Sequence, residues 1–126
     1  MPTRSLSSSV LKWPSADEVE KALQAWVRAL NLPELVALGY FGSYARGDYG
    51  VGSDLDLVLV VRESDLPFVE RAAHLPLEKL PVPAEALVYT EDEWKKLIES
   101  GSRFAQTLAR ETRWLINATA PPAESG

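Results

Sequence analysis

Apolar residues along this chain fall into two rhythms, one near 3.6 residues and one of 2, and their alternation marks out the elements. Pro14-Ser15-Ala16-Asp17-Glu18 reads as a helix start, with Ser15 as N-cap and Glu18 completing a capping box. Val19, Leu23, Trp26, Val27 and Leu30 then recur at helical spacing and predict an apolar stripe facing a core, until Asn31 and Pro33 stop the helix. Leu35–Phe41 is short and apolar, in the manner of a buried first strand. Tyr44-Ala45-Arg46-Gly47 predicts a helical turn closed by glycine, followed by a polar loop over 48–53 and a second strand over 54–61.

The second half continues the alternation. Ser64 or Asp65 is read as the cap of a helix that admits Pro67 in its first turn and carries Phe68, Val69, Ala72 and Ala73 on an apolar side. Pro76 breaks it, and 77–80 adds one further turn. Pro81-Val82-Pro83 enforces an extended approach to a third strand over 84–89. Thr90 and Glu93 form a second capping box for a helix bearing Trp94, Leu97 and Ile98, closed at Gly101. Ser102 opens a last helix with Phe104, Ala105 and Leu108 inward, and Trp114-Leu115-Ile116 reads as an edge strand or an extended tail against the core.

With 126 residues, 46% of them hydrophobic and 25% charged, the chain is expected to form one packed domain over 15–117. A flexible arm over 1–14 and a flexible, Pro- and Ala-rich tail over 118–126 are expected to flank it. A net charge of −5 argues against extended nucleic-acid binding or adhesion to an anionic membrane, both of which rely on Lys and Arg. No apolar run reaches the length of about 18 residues that a membrane span needs, and the start lacks a signal-peptide core, so a cytoplasmic location is expected. Without cysteine there is no disulfide, thiolate metal site or thiol nucleophile. The four tryptophans read as core or interface anchors, and His74, the only histidine, lacks a catalytic partner in the sequence. Neither GxxxxGK[ST] nor GxGxxG occurs, which removes the main support for P-loop and Rossmann readings.

Candidate chemistry gathers between Gly42 and Asp56. In a strand, residues i and i+2 share a face, so Asp54 and Asp56 point one way while Leu55, Leu57 and Leu59 point into the core. Two carboxylates within roughly 7 Å repel each other unless a cation lies between them. Hard oxygen donors without His or Cys favour Mg²⁺, with Mn²⁺ as the alternative. A helix beginning after Gly42-Ser43 would aim backbone N–H groups at an anion such as phosphate, with Gly42 allowing close approach. Arg46 is read either as a phosphate ligand or as the ion-pair partner of Asp48 or Asp54.

Gly42-Ser43, ten intervening residues, then Asp54-x-Asp56 resembles the signature of the DNA polymerase-beta nucleotidyltransferase superfamily. Within it, the GSYARG run over 42–47 is most similar to the minimal nucleotidyltransferase family, whose small members are often antitoxins encoded beside a HEPN-type toxin. The resemblance implies an α/β (α+β mixed) nucleotidyltransferase fold, a small mixed β-sheet of three to four strands flanked by helices. It also implies that Glu85 stands where the family carries a third carboxylate, usually Asp, so that Asp54, Asp56 and Glu85 are the catalytic and metal residues. The resemblance likewise implies that Gly42, Ser43 and Arg46 are the nucleotide-binding residues. The implied activity is transfer of NMP, AMP from ATP in the first instance, with two Mg²⁺ ions, to a tyrosine or similar hydroxyl of the toxin in a toxin–antitoxin system. Transfer to a small molecule such as an aminoglycoside, and a catalytically weak toxin-binding module, are the alternatives. A homo-oligomer is left open.

Overall fold

Four strands form one mixed sheet in the order β3-β2-β1-β4, where β1 is Leu35–Phe41, β2 Leu55–Val61, β3 Ala84–Thr90 and β4 Arg113–Asn117. The computed structural model describes residues 13–117, so the expected arm, save Trp13 and Pro14, and the expected tail lie outside the described residues. β1 runs antiparallel to both β2 and β4, whereas β2 and β3 are parallel. The parallel pair requires a long crossover, which residues 62–83 supply.

One face of the sheet is covered by α1, Ala16–Leu30, whose capping box forms as the sequence predicts: Ser15 Oγ accepts from Glu18 N at 3.2 Å, and Glu18 Oε1 accepts from Ser15 N at 2.8 Å. Asn31 ends the helix in the left-handed region at φ 51°, a conformation Asn tolerates better than most residues. Val19, Leu23 and Trp26 are buried against Leu38, Tyr40, Leu55, Leu57 and Leu59. Each such side chain contributes about 1.5–3 kcal/mol of transfer free energy. Trp13, Val27 and Leu30 pack partly buried around them, and Trp26 Nε1 donates to Pro76 O at 2.9 Å. On the opposite face, Val36, Ala37 and Val60 meet Trp94 and Trp114. Trp94 lies on α4, Glu91–Ser100, whose Thr90–Glu93 capping box is present. All four tryptophans are thus anchors in the packing.

β4 occupies one edge of the sheet, settling the Trp114–Ile116 run as a strand. It can lie so close to β1 because Gly39 has no side chain: a Cβ there would stand 2.7 Å from Arg113 O and 2.7 Å from Thr112 Cγ2.

Three expectations need correction. The second strand starts at Leu55 rather than Asp54, where Leu55 N donates to Pro83 O at 2.8 Å and begins the pairing with β3. The helix expected after Ser64 is the single turn α3, Phe68–Arg71, running on into 3₁₀ turns at Ala72–His74 and Leu77–Lys79. Ser64 Oγ accepts locally from Leu66 N, and the cap residue Pro67 has no hydrogen-bonding group on its side chain to offer. Phe68, Val69 and Ala73 of this segment are exposed; the buried residue is Arg71. Its guanidinium donates to Leu66 O, Val88 O and both oxygens of Glu93, and these four hydrogen bonds offset the cost of burying the charge. On the last helix, α5, Arg103–Glu111, Ala105 and Leu108 are buried as expected. Phe104, 42% exposed, instead lies on the rim, edge-on to Phe41.

Candidate functional site

The ends of β1 and β2 meet at Gly42. Phe41 pairs with Asp56, and Gly42 then turns the chain into α2, Ser43–Arg46. Gly42 adopts φ 82° and ψ −155°, a region essentially confined to glycine. A Cβ on Gly42 would stand 2.4 Å from Asp56 Oδ2, so the Asp56 carboxylate occupies the space above the glycine. Residue 42 must therefore be glycine both for its backbone and for its neighbour.

α2 closes at Gly47 in the left-handed region, with Gly47 N and Asp48 N both donating to Ser43 O. The loop beyond is fastened to the body. Tyr49 stacks on buried Tyr44 at 4.5 Å, and its hydroxyl accepts from Ala16 N at 3.0 Å, at the start of α1. Gly50 N donates to Ser53 Oγ at 2.8 Å, and Ser53 N to Gly50 O at 2.9 Å, which fixes the turn delivering Asp54 to the mouth of β2.

Leu55, Leu57 and Leu59 are fully buried beneath α1, which leaves Asp56 on the opposite face. Asp56 is Cα partner to Glu85 in the parallel β2–β3 pair. Such neighbours lie about 4.8 Å apart and share a face. Glu85 and Asp54 are exposed, whereas Asp56 is half-buried. Burial, then the charges of Glu85 and Asp54, push the Asp56 carboxyl above its ordinary value, and Arg46 pulls it down. Negative charge thus converges on Asp56 from both predicted companions.

The six predicted residues therefore stand around one corner of the sheet, at the ends of β1, β2 and β3. Their donor type fits a hard divalent cation, since every candidate ligand is a carboxylate and the mutual repulsion is what a cation would relieve. Among the described residues, no three acidic or histidine side chains are gathered into a metal-holding group. The fit lies in placement and chemistry, with Asp54 and Glu85 exposed beside the half-buried Asp56.

Of the two ion-pair partners the sequence offered to Arg46, Asp48 is the one it takes. Its Nε donates to Asp48 Oδ2 at 3.1 Å and its Nη1 to Glu111 Oε1 at 3.4 Å; Asp54 is not among these partners. Glu111, at the end of α5, also accepts from Gly42 N at 3.4 Å. Sequence reading missed Glu111 because 65 residues separate it from Arg46; its only local signal is an acid in the last turn of a helix, where a base is the usual choice. His74 is exposed on its 3₁₀ turn.

The family of proteins with a nucleotidyltransferase domain matches residues 19–110. A Methanocaldococcus jannaschii protein with the provisional name of protein adenylyltransferase is 37% identical over 82 residues, covering 63% of this chain and 81% of its own length. A provisionally named nucleotidyltransferase of Sulfolobus solfataricus has the same fold, at TM-score 0.54 and 21% identity over 82% of this chain and 88% of that one. So does a toxin–antitoxin crystal structure with AMP-PNP, at TM-score 0.52 and 18% identity over 79% of this chain and 74% of that one.

Proposed function

Because the chain belongs to the nucleotidyltransferase-domain family, and is a transferase enzyme by that membership, we propose that it moves AMP from ATP to a hydroxyl of a partner protein. The acceptor in this reading is a tyrosine of a HEPN-type toxin, which makes the chain the antitoxin of the pair. The observation that carries the proposal is the Asp56–Glu85 register pair, with Asp54 ahead of it, beside a glycine whose side-chain position is filled by the Asp56 carboxylate. The M. jannaschii relative supports a protein acceptor, and the toxin–antitoxin neighbour, alike in fold, suggests the pairing that the proposal extends to this chain.

In this reading Gly42 and Ser43 bring backbone and hydroxyl donors against the triphosphate, and Arg46 adds a charged hydrogen bond to a phosphate oxygen. Asp54, Asp56 and Glu85 would hold two Mg²⁺ ions, with Mn²⁺ as substitute, and these would supply charge neutralisation and activation of the acceptor oxygen. The acceptor oxygen forms a bond to the α-phosphorus, the bond from that phosphorus to the bridging oxygen breaks, and pyrophosphate carries away the electron pair. Glu85, exposed on β3, accepts the hydroxyl proton. No helix among the described residues is long and apolar enough to cross a membrane, and we place the reaction in the cytoplasm, where ATP is supplied.

The test is transfer of label from α-labelled ATP to a co-purified toxin in Mg²⁺. Asp54→Asn and Asp56→Asn are each expected to abolish labelling with the melting temperature unchanged or raised, since they remove charge rather than packing. Labelling at the unmutated rate by the double variant overturns the site. The carboxylates are not gathered, which favours a second reading, a toxin-binding module of weak activity. Neutralisation of the toxin by the double variant, without labelling by either protein, would select it.

A further inference from the structure

Glu111 is the last residue of α5, at the negative end of the backbone dipole, where an acid is electrostatically misplaced. Its side chain is nonetheless only 24% exposed. One oxygen, Oε1, accepts from Gly42 N at 3.4 Å and from Arg46 Nη1 at 3.4 Å. Arg46 is held on its other side by Asp48 Oδ2 at 3.1 Å, so its guanidinium lies between two carboxylates. A backbone N–H and a guanidinium converging on one anionic oxygen are the donors that bind a phosphate oxygen elsewhere in proteins.

We propose that Glu111 is an internal stand-in for a phosphate oxygen of the nucleotide, and that an incoming triphosphate displaces it from Gly42 N–H and Arg46. The proposal rests on the reading of Gly42 and Arg46 as phosphate ligands given above. Carboxylate and phosphate cannot share the same donors, because they are alike in charge and compete for the same hydrogens. While Glu111 stays in place these two donors are withheld from a phosphate, and nucleotide affinity is reduced by the fraction of molecules in which it does. Glu111 sets affinity through this competition and takes no part in the chemistry.

Glu111→Gln keeps the shape of the side chain and removes its charge. It is expected to tighten Mg·ATP binding about 3- to 10-fold in calorimetric titration of the full chain, the gain if the competent fraction rises from about 0.1–0.3 toward one. Glu111→Ala should tighten it at least as much, and Mg·tripolyphosphate, which lacks the nucleoside, should follow the same order across both variants. Unchanged or weaker affinity in the folded variants overturns the proposal and makes Glu111 a positioning residue for Arg46. Arg46→Gln separates the two layers. If it leaves Mg·ATP affinity unchanged, the phosphate-site reading falls and the stand-in falls with it; if it weakens binding while Glu111→Gln does not tighten it, only the stand-in falls. A measurement that needs no variant is the amide spectrum of the unmutated chain. Mg·tripolyphosphate should shift Gly42 and the Glu111–Thr112 amides together, and a shift at Gly42 alone overturns the displacement.

Discussion

Gly42→Ala tests the corner of the sheet directly, because two independent consequences can be worked from its geometry. The first is conformational: φ 82° with ψ −155° is a region in which a non-glycine residue costs about 1–3 kcal/mol. For a chain of this length that corresponds to melting lower by roughly 4–12 °C. The second is steric, since the new Cβ would stand 2.4 Å from Asp56 Oδ2, whereas ordinary contact begins near 3.4 Å. The carboxylate or the turn must retreat by about 1 Å, and a displacement of that size near reacting atoms costs on the order of 10²-fold in rate. Gly47→Ala is the control. At φ 88° it also carries backbone strain, about 1–2 kcal/mol, yet nothing lies within 4 Å of its Cβ position. Thermal melts by circular dichroism and initial rates of AMP transfer, taken well below both midpoints, should show both variants destabilised and only Gly42→Ala slowed. Equal rates for the two alanine variants would refute the steric reasoning, and an unchanged midpoint for Gly42→Ala would refute the conformational one.

Glu85→Gln should suppress transfer strongly while weakening ATP binding much less than loss of Asp54 or Asp56; steady-state rates set beside calorimetric affinities check the split, and the unmutated rate would reduce Glu85 to a surface residue. Mg·ATP is expected to bind far more tightly than ATP in EDTA, because Asp56 and its acidic neighbours repel a bare triphosphate; equal affinity in titration calorimetry would point to another pocket. The hydrogen bonds from Arg71 draw the Glu93 carboxyl down from its ordinary 4.5 to about 2. A carboxyl with a lowered folded-state value contributes its stability fully above pH 4.5 and loses it as the pH falls toward 2, so melts across that window should show Glu93→Gln with a shallower acid decline than the unmutated chain. Because Glu93 is partly exposed, the same substitution at neutral pH should cost about 1–3 kcal/mol, below the loss for a fully buried pair.

What the sequence reveals of this fold is what is local. Both capping boxes join residues three apart, and the left-handed Asn31 and Gly101 that end α1 and α4 are equally short-range. The nearness of Asp54 to Asp56 is legible from their spacing alone: Asp54 lies just ahead of β2, which begins where Leu55 N bonds to Pro83 O, and its charge is felt at Asp56. The helix after Ser64 fails for the complementary reason. Phe68, Val69, Ala72 and Ala73 carry an apolar pattern, but only about one turn of α-helix forms, because the deciding group is Arg71 and its partners lie 17 and 22 residues away on Val88 and Glu93. No periodicity contains that information.

The same distinction bears on the site. Gly42, Ser43, Asp54 and Asp56 are close in sequence and fall into a recognisable spacing, whereas Glu85 joins them only through the parallel register of β2 and β3, and Glu111 only through the return of the chain along α5. A parallel pair is set by its crossover, so the identity of the residue opposite Asp56 depends on how many residues separate Val61 from Ala84 and how they pack. The crossover is irregular here, one α turn and two 3₁₀ turns, and it is pinned by Arg71 donating to Val88 O in the middle of β3. Arg71 thereby links a half-buried ion pair remote from the site to the register that puts Glu85 beside Asp56. Slippage by one residue would bring Ala84 or Ala86 opposite Asp56 and turn the third carboxylate to the other face.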